Sequence, residues 1–188
     1  MDIGRSIGYV FEDERWLTKL GTGALISLVP ILNFAWFGYS IEIMRNVMED
    51  LSVPLPEWDD LGGKFIKGLF VAAAGFLYAL PGLVFLTGTI AIFLFPAIAN
   101  DIDILNILAV FSTLTGITLI CCVGVYFLLL SLFFPAAQLQ FARNGTFRSF
   151  FQVNQIFKMI SGRAGDYLIC WLTSLGVGFV VGSLTGVI

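Results

Sequence analysis

Four long apolar stretches alternate with short polar links along this chain. The first, residues 20–49, is interrupted. In LVPILNFAWFGY, Pro30 and Asn33 fall inside an otherwise apolar run, and an internal proline removes a helical hydrogen bond. Beyond that break Phe34, Phe37, Ile41, Met44 and Met48 recur at helical spacing, with Glu42, Arg45, Asn46 and Glu49 elsewhere. With the large apolar side chains on one face, this pattern predicts an amphipathic helix emerging at the interface. Two readings of the segment stay open: one kinked crossing, or a re-entrant helix–break–helix hairpin.

The second stretch, residues 64–97, carries no charge from Gly68 to Phe95. As one helix, that uncharged part measures about 42 Å, against a hydrocarbon core of about 30 Å. It must tilt, bend at Pro81 or project. The third stretch, residues 104–140, is equally overlong. The short link NDID (100–103) predicts that the two form an antiparallel hairpin. In residues 146–162, Phe147, Phe150, Phe151, Ile156 and Met159 alternate with Arg148, Gln152, Asn154, Gln155 and Lys158. An interfacial helix capped by Thr146 is expected there. The last stretch, residues 166–188, is just long enough to span. Segment 1–19 precedes the first helix, and 50–63 forms a loop before the second.

Composition sharpens this into a fold class. Of the 188 residues, 58% are hydrophobic and 12% charged, about half the charge of a soluble domain. The expectation is a single all-α integral membrane domain. It has three long transmembrane helices, an N-terminal Pro-broken hairpin and amphipathic interfacial helices. There is no histidine, which removes the commonest general base and proton shuttle. Cys121, Cys122 and Cys170 lie in apolar runs without metal-ligand spacing. No metal and no cofactor is expected. The small net charge of −3 gives no footprint for nucleic acid. MDIGRSIGYVFEDERW lacks the basic start and apolar core of a signal peptide.

The ten Lys and Arg residues set an expected topology. Arg45, Lys64 and Lys67 lie between the first two stretches, and Arg143, Arg148, Lys158 and Arg163 between the last two. The 100–103 link has only acids. The positive-inside rule places regions 42–67 and 141–163 in the cytoplasm and the link outside. A re-entrant first segment adds Arg5, Arg15 and Lys19 to the same side.

Candidate chemistry concentrates in LPEWDD. Pro56, Glu57, Trp58, Asp59 and Asp60 put three carboxylates within four positions. They suit a cation site or an acid–base pair. They suit better a membrane–water seam, with Trp58 at headgroup level and Asp59 or Asp60 capping the next helix. Lys64 and Lys67 then meet lipid phosphate or these acids. The serines and threonines of the long stretches are read as bonding back to their own helices. Two stripes of small residues stand out: Gly68, Ala72, Gly75, Ala79 and Gly82, then Ser174, Gly178, Gly182 and Gly186. Such faces allow close helix packing, within a chain or between chains.

Several of these elements occur together in YVFEDERW, KLGTGALISLVPIL, Gly38-Tyr39 leading to Arg45-Asn46-Val47, LPEWDDLGGKFIKG, and YALPG at 78–82. In this order they resemble the uncharacterised prokaryotic membrane family called domain of unknown function 4013. The resemblance is strongest over residues 9–82. It implies a multi-helix protein of a bacterial or archaeal plasma membrane, with some relatives longer than this chain, and it brings no catalytic residue. The expected function is non-enzymatic: self-assembly as a homo-oligomer, or service as an accessory or structural subunit of a larger membrane complex. Its partners are membrane lipids, itself or other membrane proteins. The alternatives are a transporter or channel for a neutral or lipid-like solute, and a membrane-shaping hairpin.

Overall fold

The computed structural model describes residues 13–51, 55–94 and 102–185, with Gly8, Phe11 and Val53. The main helices are α1 (Trp16–Ser27), α2 (Asn33–Met48), α3 (Leu61–Leu94), α4 (Ile102–Asn144), α5 (Val153–Gly162) and α6 (Ala164–Thr185). A 3-10 turn, Phe147–Phe151, precedes α5. There is no strand among the described residues.

Local chemistry explains the boundaries. α1 stops before the turn that holds Pro30, and α2 restarts at Asn33. α2 ends with Asp50 in the left-handed region, φ 51°. Asp50 N–H donates to Val47 and Leu51 N–H to Asn46, the paired bonds of a Schellman terminus. α3 begins at an Asp60 cap: Gly63 N–H donates to Asp60 Oδ1 at 2.8 Å. α4 ends at Gly145, φ +67°, whose N–H reaches the Phe141 carbonyl at 2.8 Å. The expected Thr146 side-chain cap is not made. Instead its carbonyl accepts Ser149 N–H, opening the 3-10 turn. Ile102 and Asp103, read as part of the link, already belong to α4, while Asn100 and Asp101 lie outside the described residues.

The chain divides into two compact units, Met1–Ala72 with Pro135–Ile188, and Ala73–Phe134. In the second unit α3 and α4 run antiparallel. Gly75 faces the Phe134 ring and Gly82 faces Tyr126 and Phe127. The Tyr126 hydroxyl donates to the Tyr78 carbonyl. Thr87, Thr89, Thr118 and Ser131 bond back to carbonyls of their own helices.

In the first unit α2 and α3 also run antiparallel, almost backbone to backbone. A Cβ on Gly38 would lie 1.7 Å from the Lys64 carbonyl oxygen, and one on Gly68 would lie 1.7 Å from that of Phe34. The buried residues of α2 are Ala35, Gly38, Tyr39 and Ile41. Phe37 and Met48, on the apolar face that the spacing marks, are 43% and 45% exposed. A close helix crossing needs small residues, so bulk turns outward.

A correction concerns the spans. Among the described residues two helices, not three, are long and apolar enough to cross a membrane, over Leu61–Ile92 and Val110–Asn144.

The glycine contact predicts an asymmetric response. G38A pushes a methyl group into a carbonyl and is expected to cost about 1–3 kcal/mol. G88A adds a methyl into open space and gains helix propensity, so it is expected to be neutral or stabilising. Thermal unfolding in one detergent reads both, and a G38A protein as stable as the parent contradicts the α2–α3 contact.

Candidate functional site at the LPEWDD loop

Two buried lysines hold this loop, one on each side. Lys19 on α1 is 5% exposed. Its ammonium donates to Asp13 Oδ2 at 2.7 Å and to the Leu55 carbonyl at 2.8 Å. Glu57 Oε1 lies 3.2 Å away, so the three ammonium N–H groups have three acceptors. Arg15 reaches the same Glu57 oxygen at 2.7 Å. The Lys19 hydrogen bond, reinforced by Arg15 N–H, holds the Asp13 carboxyl below its ordinary value of 3.8.

Lys64 on α3 is 2% exposed. It pairs with Glu42 Oε2 at 2.9 Å, while Lys67 takes Glu42 Oε1 at 2.6 Å. Asp59 is the nearest loop acid, 3.8 Å from Lys64. One carboxylate on α2 thus bridges two ammonium groups on α3. Glu42 was expected on the polar interfacial face of its helix, and the two lysines were expected to meet the loop acids or lipid. The Gly38 contact changes this, because Glu42 lies one turn from Gly38 and is carried inward against α3.

Trp58 closes the loop from inside. Its ring stacks on Tyr39 with centroids 4.4 Å apart and planes 3° from parallel. Trp36 lies beyond at 6.2 Å, and Trp58 Nε1–H donates to the Lys19 carbonyl at 2.7 Å. Gly23 makes room, since a Cβ there would meet Trp36 at 2.3 Å and Trp58 at 2.8 Å. Pro56 is half-buried beside this stack.

The three loop carboxylates therefore serve different partners. Glu57 binds Arg15 and Lys19, Asp59 accepts the Asp60 N–H at 3.0 Å, and Asp60 caps α3. What the loop accomplishes chemically is to fasten α1, α2 and α3 together. Of the small-residue stripes, Gly68, Gly75 and Gly82 each face a named neighbour. Ala72 and Ala79 are half-buried on the same helix. On α6, Ser174 is exposed and bonds back to Trp171, and Gly178 faces open space. Gly182 is helical, and Gly186 lies outside the described residues. Asp13, Lys19, Gly23 and Glu42 escape a reading by sequence. For Glu42 the one signal is the 3-residue spacing of Lys64 and Lys67, which calls for an acid on whatever helix faces them.

The class defined here is, among the described residues, all-helical, with two helices apolar enough to cross a membrane and an N-terminal hairpin fastened by a loop of mixed charge and aromatic character. The chain belongs to the family described as protein of unknown function DUF4013, whose model matches residues 22–188. No curated protein and no solved structure matches it.

E42Q strands the buried Lys64 and is expected to cost about 3 kcal/mol. Adding K64M is expected to recover much of that loss, because the uncompensated charge is gone. Denaturant titration of the single and double variants measures it. Asp13 sets an acid limit. With its native pKa depressed, its contribution is complete above the unfolded value and disappears as pH falls through the native one. A melting-temperature profile below about pH 5 is expected to flatten in D13N.

Proposed function

We propose that this chain is a non-enzymatic integral membrane protein that assembles with itself or serves as an accessory subunit of a larger membrane complex. Membrane residence is supported by what surrounds the apolar helices. Only 17% of the most apolar window of α3, and none of that of α4, is buried. A core helix of a soluble protein would be covered.

One observation carries the assembly reading. Whereas Gly68, Gly75 and Gly82 have neighbours, Ser174 is exposed and Gly178, one turn along the same face of α6, faces open space, and no described residue of α6 is buried. A small-residue face left open on an apolar helix suits a second helix from another chain.

The hairpin favours a second contribution, membrane shaping. α1 and α2 measure about 18 and 24 Å, each shorter than a hydrocarbon core of about 30 Å. Leu28, Val29, Ile31 and Leu32 at the turn are exposed. The Arg15–Glu57 and Lys19–Leu55 bonds tie the start of α1 to the loop after α2. In this reading the hairpin enters and leaves one leaflet by the same face, as a wedge. The N-terminal segment then joins the cytoplasmic regions.

Cysteine variants in a background lacking Cys121, Cys122 and Cys170 test both parts. G178C is expected to give disulfide-linked species between chains, or to a partner, on mild oxidation in membranes. Uniformly monomeric G178C would overturn the assembly reading. E14C is expected to react with an impermeant thiol reagent from the same side as R148C. Labelling from opposite sides would show that the first segment crosses.

A further inference from the structure

The loop clamps consume charge unevenly. Arg15, Lys19, Lys64 and Lys67 are all paired with acids. Residues 141–165 contain Arg143, Arg148, Lys158 and Arg163 and no acid, and none of these four has an ion-pair partner among the described residues. Two of them, Arg143 at the end of α4 and Lys158 on α5, line one groove of about 570 Å³ with Gln140, Asn144, Gln155 and Met159.

The groove has a fixed floor. Gln140 is buried, and its Nε2 donates to Gln152 Oε1 at 3.1 Å and to Gln155 Oε1. With its oxygen engaged, Gln155 has its own amide N–H groups left to donate. Arg143 also borders a neighbouring hollow of about 420 Å³ with Arg45 and Glu49, but that carboxylate is already paired with Arg45 at 2.9 Å. The groove thus offers a guanidinium, an ammonium and amide donors with no anion of the chain's own. Phosphate oxygens satisfy that set, accepting from the planar guanidinium fork and the point charge together.

The flank of the groove identifies what carries the phosphate. α5 buries Ile156 yet leaves Val153 and Phe157 exposed, the latter by 66%. Apolar side chains on the same short helix as the groove's lysine suit acyl chains beside a headgroup.

We propose that the Arg143–Lys158 groove binds a phosphate group, and that the phosphate belongs to the headgroup of an anionic phospholipid. The lipid source rests on the membrane reading above, whereas the phosphate site does not.

The test uses the full chain in detergent, with native mass spectrometry and thermal unfolding. Phosphatidylglycerol, phosphatidylcholine and inorganic phosphate are the probes. Phosphatidylglycerol is expected to bind and stabilise more than phosphatidylcholine. R143Q/K158Q is expected to weaken it about 30-fold, near fivefold for each cation removed. R148Q/R163Q, which removes two cations outside the groove, is expected to bind like the parent. Q155E keeps both cations and adds a negative charge, so it weakens binding even if the double variant does not fold. Stabilisation by inorganic phosphate, lost in the same variants and without any preference for phosphatidylglycerol, keeps the site and overturns the lipid source. Binding unchanged in R143Q/K158Q and Q155E, or equally lost in R148Q/R163Q, overturns the site itself. Alkaline carbonate extraction of native membranes separates the two readings. A chain that stays in the pellet yet binds neither probe sinks only this proposal. A chain released into the supernatant sinks the membrane reading, and the phosphate arm then decides the site alone.

Discussion

Two glycines fix how closely α2 and α3 approach, and much of the first unit follows from that distance. Gly38 lies against the Lys64 carbonyl and Gly68 against that of Phe34. With the backbones this close, the Lys64 side chain has little route to water and emerges beside Glu42, one turn along α2. The ion pair follows from the crossing as much as it supports it. A buried pair of this kind stabilises little by itself, since desolvation offsets much of the attraction. Its effect is to fix register: sliding α2 along α3 separates Glu42 from both lysines and drives a carbonyl into a side chain.

The aromatic stack makes the same register visible from the other side. Trp58 can lie flat on Tyr39 only where Gly23 leaves space and the Lys19 carbonyl accepts its N–H. Three elements, α1, α2 and the loop, meet at one indole. The loop that stands out in the sequence as polar is therefore a fastening, polar because its anchors are ammonium groups that need oxygen.

The broken first helix, the Asp60 cap and the hairpin of long apolar helices were legible in the sequence, because each depends on local rules of proline, capping and length. The inward face of α2 was not. Phe37 and Met48 share the apolar face that the spacing marks, but the close contact selects Gly38 and Ala35, and amphipathic periodicity alone does not say which side of a helix packs on its neighbour. The partners of Glu57 and Glu42 were hidden for another reason. They lie 42 and 25 residues away in the chain, and nothing local joins them. Gln140, at the end of the third apolar stretch, organises the junction of α4 with α5 through Gln152 and Gln155.

The fastening also bears on how the chain is made. Lys19 leaves the ribosome long before its acceptor Leu55, 36 positions later. At roughly 5–20 residues per second that interval is about 2–7 s. During it the lysine has Asp13 but no loop, and the close contact of α2 has no α3 to meet. The hairpin is thus synthesised before α3 but cannot be finished before it. Its docking awaits the opening turns of α3, which makes the hairpin a segment that any chaperone or insertion machinery meets in an uncommitted form.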